Sequence, residues 1–313
     1  MLPKFYKNKL FLFILFLLII YFYNINKKKT PTIIEKFNNL NNNDIDIKGI
    51  NNDNKGIYDN FYAEIYDQLF RSDLKNEYEC LQIQKNYIKN WKDSKVKILD
   101  VGCGTGLHLK ILNRYGYHVE GIDESPWMIK KAKKNCPKGI YKRGDFNNPK
   151  SYTPRRFTHI LCLFFTIYYT NNLNKLFYNF NLWLQPKGLL FIHVVMKDKF
   201  DPVLERASSL IPLFDPQRHT DVRATRTQLE FKEFSYESDW DLTKKNKSKF
   251  KELFTFKKEP YVRENIHTFN LIDPKRIIKK ANNNGFELIK AIDLFLVGHN
   301  NTYLMVFRKK YGK

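Results

Sequence analysis

The stretch from Val96 to Asp123 places the tightest limits on the fold of this chain. It opens with a short apolar run that is typical of a buried parallel strand. Three glycines follow at alternate positions, and Leu107–Arg114 then has the 3.6-residue spacing of an amphipathic helix. A second apolar strand, Val119–Ile122, leads directly to Asp123. Because a strand, a tight turn, a helix and a second strand make up the repeating unit of parallel sheets, the stretch predicts an α/β fold.

The glycines Gly102, Gly104 and Gly106 form the turn between the first strand and the helix. Lacking Cβ atoms, they can adopt positive φ and let a ligand approach the backbone closely. Asp123 follows about 20 residues later, where an acid can accept hydrogen bonds from both hydroxyls of a ribose. Asp100, in front of the loop, would repel a phosphate but suits the ammonium group of an amino acid. The loop therefore predicts a nucleoside ligand with an amino-acid part rather than a dinucleotide.

The D-x-G-x-G-x-G pattern of this loop resembles the first motif of the class I S-adenosylmethionine (SAM) methyltransferases. The resemblance implies SAM as cofactor, methyl transfer as the reaction, no metal, and a doubly wound, mostly parallel seven-stranded sheet. It covers roughly Tyr58 to Lys310, with specific motifs only from Val96 to Val195. The later motifs occur in the family's order at Gly121–Ala132 (GIDESPWMIKKA), Gly144–Phe146 (GDF) and Trp183–Val195 (WLQPKGLLFIHVV).

The same resemblance implies which residues hold SAM. Met128 would flank the adenine, Asp145 would bind its amino group, and Phe146 would pack on its ring; a turn residue is the alternative for Asp145. Tyr62 and Tyr66 belong to a Y-A-x-x-Y-D segment similar to one that lies across the cofactor in many small-molecule methyltransferases; a helix that only packs on the core is the alternative. The implied cofactor-binding residues are Asp100, Gly102, Cys103, Gly104, Gly106, Asp123, Met128, Asp145, Phe146, Leu163, Tyr62 and Tyr66.

The acceptor is expected beside Phe157–Tyr169, which is predicted to be the fourth parallel strand and the loop after it. Ligands of doubly wound folds bind outside the carboxyl ends of the strands. Thr166, Tyr168 and Tyr169 place hydroxyls there and are the candidate catalytic residues. No D-P-P-Y or N-P-P-Y motif is present, which argues against methylation of adenine N6 or cytosine N4. Related amino-sugar N-methyltransferases tend to have a histidine near the position of Tyr169, and the sequence does not identify a general base here.

Composition sets wider limits. At 313 residues the chain is long enough for one well-buried α/β domain with additions. A net charge of +22 suggests an anionic partner, either nucleic acid or a lipid surface, although lysine and asparagine are spread through the whole chain. The four cysteines show no metal-ligand spacing, so neither a zinc site nor a disulfide framework is indicated.

The N-terminal residues read as a separate segment. The uninterrupted apolar run Leu10–Tyr23 has lysines on both sides and no small residues for signal cleavage, so residues 1–29 are predicted to form an uncleaved single-pass membrane anchor. The Asn-rich residues 30–56 are predicted to be a flexible linker. The methyltransferase domain would then span residues 57–313 and lie on the cytosolic side, where SAM is made.

Between Lys197 and Asn270 the alternation of strand and helix stops. An antiparallel β flap is predicted at about 199–270, inserted after the fifth strand. Lys244–Lys251 would be a solvated hairpin tip or, alternatively, a patch that contacts phosphate. The predicted flap strands are Leu229–Tyr236, Phe250–Phe256 and Val262–Phe269.

These predictions combine into a membrane-tethered, SAM-dependent methyltransferase that acts on a small-molecule or lipid-like acceptor. One alternative is an RNA or DNA methyltransferase that uses the basic surface. Another is a non-catalytic, SAM-binding scaffold at a membrane. The intact glycine loop and Asp123 argue against the scaffold, and the missing nucleic-acid motif favours the small acceptor. The sequence identifies neither the acceptor nor the methylated atom.

Overall fold

The computed structural model describes residues 50–51, 54–88, 91, 95–205, 217, 222–244, 247–258 and 261–310. Within these ranges the chain forms two β-sheets and several helices. The helices are α1 (Asn54–Ile57), α2 (Asn60–Phe70), α3 (Asp73–Ile83), α4 (Leu107–Arg114), α5 (Pro126–Asn135), α6 (Leu173–Trp183) and α7 (Pro274–Asn283).

The central sheet has seven strands in the order β11-β12-β6-β5-β2-β3-β4. Strands β2 to β6 pair in parallel, and β12 runs antiparallel to both of its neighbours. This arrangement confirms the predicted doubly wound, mostly parallel sheet. Its strands are β2 (Lys97–Val101), β3 (His118–Asp123), β4 (Ile140–Arg143), β5 (Phe157–Cys162), β6 (Leu184–Val195), β11 (Phe286–Asp293) and β12 (Thr302–Lys309).

Apolar side chains cover both faces of this sheet. Along β5, Ile160 belongs to one buried apolar cluster and Leu161 to another. Along β6, Ile192 belongs to the first cluster and Phe191 to the second. Because neighbouring residues of a strand point to opposite faces, the two clusters are two core layers with the sheet between them. Burial on both faces explains why these strands read as continuous apolar runs.

Side-chain caps fix where the site helices begin. Ser125 Oγ accepts a hydrogen bond from the Met128 amide at 3.1 Å, and Pro126 occupies the first turn of α5. Asp273 caps α7 in the same way, and Gly285 follows that helix with φ +84°. These starts and the bounds of α4 agree with the predicted helices.

The second sheet contains the predicted antiparallel flap together with one short strand from residues 50–51, which pairs in parallel with it. Its strands are β1 (Ile50–Asn51), β7 (Arg226–Glu230), β8 (Phe234–Asp241), β9 (Ser248–Phe256) and β10 (Val262–Phe269), in the order β1-β10-β9-β8-β7. The prediction of one strand over Leu229–Tyr236 is wrong. A tight turn, closed by the Phe231 amide and the Phe234 carbonyl at 2.9 Å, divides it into the β7–β8 hairpin.

Helix α2 packs on the flap through its aromatic face. The Phe61 ring lies 5.5 Å from that of Phe254, and the Tyr62 ring lies 6.3 Å from it. Tyr62, Leu69 and Phe254 share one buried cluster with Phe234 of the flap. This packing brings the flap and α2 together at the carboxyl ends of the central strands.

The predicted membrane location is corrected. Among the helices in the described ranges, none combines the length and the apolar character needed to cross a bilayer. The segment that prompted the prediction, residues 1–29, lies outside the described residues, as does most of the predicted linker. Within that linker, the described Ile50–Asn51 pairs with β10 and Asn54–Ile57 is helical.

Candidate active site

One cavity of ≈ 860 Å³ lies at the carboxyl ends of the parallel strands, with the flap on its other side. It brings the predicted cofactor and acceptor residues together. Gly106 and Tyr168 are the two predicted site residues that are not on its wall. Those on the wall are Asp100, Gly102, Cys103, Gly104, Asp123, Met128, Asp145, Phe146, Leu163, Tyr62, Tyr66, Thr166 and Tyr169.

The three loop glycines are needed for different reasons. A Cβ atom on Gly102 would lie 2.6 Å from Cγ2 of Thr166, and one on Gly106 would lie 2.9 Å from Cβ of Ala132 in α5. Gly104 has φ +51°, and a Cβ there would meet no atom of the described residues within 4 Å. Gly104 therefore presents bare backbone to open space in the cavity, as a cradle for a ligand requires.

Asp123 is held directly against this loop. Its Oδ2 accepts a hydrogen bond from the Gly104 amide at 2.9 Å, and its Oδ1 accepts one from the Ser125 amide at 2.9 Å. Burial raises the pKa of Asp123 to about 6, and the two amides partly oppose the shift. Each carboxylate oxygen has a second lone pair, so the group can still accept hydrogen bonds from ribose hydroxyls.

Asp100 is the second acid at the loop. Burial raises the pKa of Asp100 to about 8, and the negative charges of Asp123 and Glu79 act in the same direction. A cation bound beside this carboxyl would favour its ionised form. The site therefore fits a positively charged group, such as the ammonium of an amino acid.

Three other predicted cofactor residues differ in which of their atoms are available to a ligand. The Asp145 carboxylate accepts from the Asn147 amide at 2.7 Å and from Asn147 Nδ2 at 3.0 Å, which makes it a turn residue on the cavity wall. Cys103 turns its sulfur toward Gly121, where an added Cβ would lie 2.7 Å away, so its backbone is the part available to a ligand. Met128 is 1% exposed and packs in the same apolar cluster as Tyr62.

The predicted catalytic residues separate in the structure. Thr166–Tyr169 forms a short 3₁₀ turn, which directs Tyr169 into the cavity and Tyr168 into the core. Tyr168 Oη accepts a hydrogen bond from the Val195 amide at 2.8 Å. This geometry does not support a catalytic role for Tyr168. Thr166 lies over Gly102, on the cofactor side of the cavity.

The sequence analysis did not identify three residues that are linked to Tyr169 by hydrogen bonds. Two of them contact Tyr169 directly, and the third contacts one of those two. Tyr169 Oη lies 2.6 Å from Tyr58 Oη and 2.8 Å from Nδ1 of His267. His267 Nε2 in turn lies 2.8 Å from Oε2 of Glu252. His267 and Glu252 are 2% and 0% exposed and come from β10 and β9 of the flap. Burial raises the pKa of both Tyr58 and Tyr169 well above the usual range, so both keep their hydroxyl protons.

A signal for the flap residues was present in the sequence. Glu252 falls between Phe250 and Phe254 at alternate positions, and His267 falls two residues before Phe269. Residues at this spacing share a face of a strand, so the pattern places a carboxylate and an imidazole on an otherwise aromatic face. Buried ionisable groups of this kind are candidates for function.

A second buried polar cluster lies on the α3 side of the cavity. Lys75 Nζ and His108 Nε2 lie 3.1 Å and 2.9 Å from Oε2 of Glu79. Burial opposes ionisation of Glu79, but Lys75 and His108 outweigh it and hold the pKa of Glu79 below its usual range. Lys75 is 2% exposed and is on the cavity wall, so it places a buried cation within reach of an anionic ligand group.

Comparison with known proteins gives the family. A methyltransferase-domain family matches residues 70–291, which is most of the chain. The dTDP-3-amino-3,6-dideoxy-alpha-D-glucopyranose N,N-dimethyltransferase of Streptomyces fradiae is 28% identical over 110 residues, which are 35% of this chain and 42% of that relative. The chain spans about half the length of the curated relatives that it matches.

Solved structures give the same fold. A SAM-dependent methyltransferase from Clostridium acetobutylicum has a TM-score of 0.60 at 16% identity, over 80% of this chain and 98% of that one. SAM-bound CalS10, an amino pentose methyltransferase from Micromonospora echinaspora involved in calicheamicin biosynthesis, has a TM-score of 0.56 at 17% identity, over 80% and 97% of the two chains. Together with the sheet order and the open glycine loop, these matches show that the chain belongs to the class I SAM-dependent methyltransferases.

Proposed function

We propose that this enzyme methylates an amine nitrogen of a small, polar acceptor of the amino-sugar type. The observation that carries the proposal is that the glycine loop, tyrosine hydroxyls and a buried histidine line the same cavity. An amine acceptor is supported by the activities of the relatives, an N,N-dimethyltransferase and an amino pentose methyltransferase. The tyrosine rings can pack against the faces of a sugar ring, and their hydroxyls can form hydrogen bonds with its polar groups.

SAM, when bound, supplies a methyl group on a sulfonium that serves as its own leaving group. The task of the chain is then to bind, to orient and to exclude water. Asp123 would hold the ribose, and Asp100 would lie near the ammonium of the methionine part. Lys75 would pair with the methionine carboxylate. The bare backbone at Gly104 would let the cofactor lie against the loop.

The flap contributes to an aromatic roof over the part of the cavity where the acceptor would bind. This roof is formed by Trp240 and Phe269 of the flap and by Phe165 from the segment after β5. Their ring centroids are 5.3 to 5.4 Å apart. An aromatic roof of this kind favours a small acceptor. The roof therefore supports a small molecule over RNA or DNA, and the relatives named above act on sugars.

A substrate panel tests the proposal. The purified protein is incubated with methyl-tritiated SAM and dTDP-linked amino sugars, the same sugars with a hydroxyl in place of the amine, or total RNA. We expect label only in the amino sugars. Label in the hydroxyl sugars would contradict the choice of nitrogen. Label in RNA alone would contradict the small acceptor.

Removing the Asp123 carboxylate is expected to weaken SAM binding. Asp123→Ala loses charge-assisted hydrogen bonds to the ribose, at a cost of about 1–3 kcal/mol in binding free energy. Titration calorimetry with SAM measures the loss, and a thermal melt reports on folding. The matched control is Asp145→Ala, because that carboxylate is already used by Asn147 in its turn. A larger loss for Asp145→Ala than for Asp123→Ala would contradict the assignment of the ribose site.

SAM binding is expected to strengthen as the pH rises from about 6 to 8. Burial raises the pKa of Asp100 to about 8, so its carboxyl is mostly protonated below that pH. A cationic ligand favours the ionised form, so binding below pH 8 releases a proton. Calorimetry in two buffers of different ionisation enthalpy detects the release. At about pH 7.5, where Asp123 with its pKa of about 6 is already mostly ionised, Asp100→Asn should abolish the release; buffer-independent heats in the unmodified protein would contradict the prediction.

A further inference from the structure

Four side chains form one line of hydrogen bonds from the cavity wall to a buried carboxylate. The line runs from Tyr58 through Tyr169 and His267 to Glu252, with spacings of 2.6, 2.8 and 2.8 Å. Two of its members come from the flap, one follows the central strand β5, and one precedes α2. Three separate parts of the chain therefore converge on a single polar path.

The direction of the path follows from the carboxylate. Glu252 accepts hydrogen bonds from Tyr236 Oη at 2.9 Å and from Asn265 Nδ2 at 3.2 Å. Because Tyr236 and Asn265 both donate to this carboxyl group, it acts as an acceptor toward the imidazole as well, and His267 donates to it from Nε2. In the neutral ring Nδ1 is then the nitrogen without a proton. That nitrogen accepts from the hydroxyl of Tyr169.

The same logic fixes the tyrosines. Because the Tyr169 hydroxyl donates its hydrogen bond to His267, Tyr58 must be the donor in the short hydrogen bond between Tyr58 and Tyr169. Among the described residues no donor reaches Tyr58 Oη, and this residue is on the cavity wall. The free end of the line is therefore a proton-accepting oxygen that faces the acceptor space.

The flap also holds Tyr58 in place. Arg263 of β10 donates from Nη1 to Asp59 Oδ2 at 2.7 Å and from Nη2 to the Ile57 carbonyl at 3.0 Å. These contacts flank Tyr58 on both sides along the chain. On the other side of the residue, Ser125 Oγ donates to the Tyr58 carbonyl at 2.5 Å. The position of the terminal hydroxyl thus depends on the flap and on the cap of α5.

We propose that this line is a proton relay, supplied by the flap, that takes the proton from the acceptor amine. This inference rests on the proposed function. An ammonium group of the acceptor gives a proton to Tyr58 Oη, Tyr58 gives its hydroxyl proton to Tyr169, and Tyr169 gives its own to Nδ1 of His267. The imidazolium formed is balanced by the charge of Glu252. The freed lone pair on the acceptor nitrogen then forms the bond to the methyl carbon, while the carbon–sulfur electron pair stays on sulfur.

The groups around His267 fit this role. From β9, Glu252 faces Nε2; from the turn after β5, Tyr169 faces Nδ1; and from α2, Tyr62 Oη lies 3.3 Å from Nε2. The only charged partner among these is the carboxylate, which stabilises a ring that gains a proton. The ring of Phe269 lies parallel to the imidazole, with the two ring centroids 5.8 Å apart.

Replacing His267 tests the relay in the active enzyme. His267→Ala should lower kcat by about 100-fold or more, within the range for loss of a positioned general base, with the SAM affinity unchanged within about twofold. Added imidazole should restore part of the rate, because it can occupy the space left by the side chain. The matched control is His159→Ala, a fully buried histidine of β5 that is not on the cavity wall. It should keep the rate and show no response to imidazole.

A second variant guards against a folding defect. Glu252→Gln keeps the shape and the hydrogen bond from Nε2 but removes the balancing charge. It should lower kcat by about tenfold or more and leave the SAM affinity unchanged. Full activity of either the Glu252→Gln or the His267→Ala variant would overturn the relay. Equal rescue of the His159→Ala variant by imidazole would do the same.

Nitrogen-15 NMR of the imidazole gives a readout that needs no substrate. The relay requires that neutral His267 carry its proton on Nε2 and that Tyr169→Phe shift the Nδ1 resonance. A proton on Nδ1 would overturn the relay even in an active enzyme. If the relay tautomer is present but no amine is methylated by the unmodified protein, the proposed function fails and the path remains as a hydrogen-bonded structure.

Discussion

Gly104→Val is expected to weaken SAM binding by more than about 100-fold while the protein still folds. The glycine has φ +51°, which is unfavourable for a β-branched residue, and a side chain there would project into the open cavity rather than into protein. Its methyl groups would occupy the space of the cofactor. Titration calorimetry measures the affinity, and circular dichroism confirms the fold.

Gly116→Val is the matched control. Gly116 lies in the turn after α4, has φ +89°, and a Cβ there would also meet no atom of the described residues within 4 Å. Both variants therefore carry backbone strain, but Gly116 is not on the cavity wall. Equal loss of SAM binding in both would mean that strain, and not a blocked cradle, is responsible. Unchanged binding in Gly104→Val would contradict the assignment of the loop.

Tyr169→Phe is expected to lower kcat by about 100-fold with little change in SAM affinity. The substitution removes one oxygen that contacts both Tyr58 and His267, so a proton can no longer pass between them. The ring, which packs at 4.8 Å from that of Phe269, is retained. Steady-state kinetics at saturating SAM and separate binding measurements distinguish the two effects.

The neighbouring tyrosine provides the comparison. Tyr168→Phe removes a hydroxyl that accepts a hydrogen bond from the Val195 amide in the core. The substitution should therefore lower the free energy of unfolding by about 0.5–1.5 kcal/mol without affecting kcat. Opposite outcomes for the two neighbours would confirm that only Tyr169 acts in the cavity. If Tyr168→Phe lowers turnover and Tyr169→Phe does not, the structural assignment of the two residues is wrong.

The central sheet and the cofactor loop could be predicted because their signals are local. Helix α4 and the capped start of α5 each depend on residues within a few positions of one another, and the glycine spacing itself defines the loop. The two adjacent tyrosines could not be separated in this way. In a 3₁₀ turn successive side chains point roughly 120° apart, so the packing around the turn decides which one faces the cavity.

The relay depends on contacts between distant parts of the chain. Glu252 and His267 are 15 residues apart, and Tyr58 and Tyr169 are separated by 111. Their alternation with phenylalanines indicates an inward face, but not what that face contacts. Because the hairpin turn at 231–233 was missed, the prediction had one strand where the flap has two, β7 and β8. Register and docking of the flap were therefore beyond a reading of the sequence.

Transfer of a carbon-13 methyl group tests the central claim most directly. The protein is incubated with SAM labelled at the methyl carbon and a dTDP-linked amino sugar, and the product is examined by NMR. We predict a single new N-methyl resonance that correlates through nitrogen to the amine-bearing carbon of the sugar. It should be absent with the Gly104→Val protein. Label on a sugar hydroxyl, or no label on any small amine while SAM binds tightly, would contradict methyl transfer to nitrogen in this cavity.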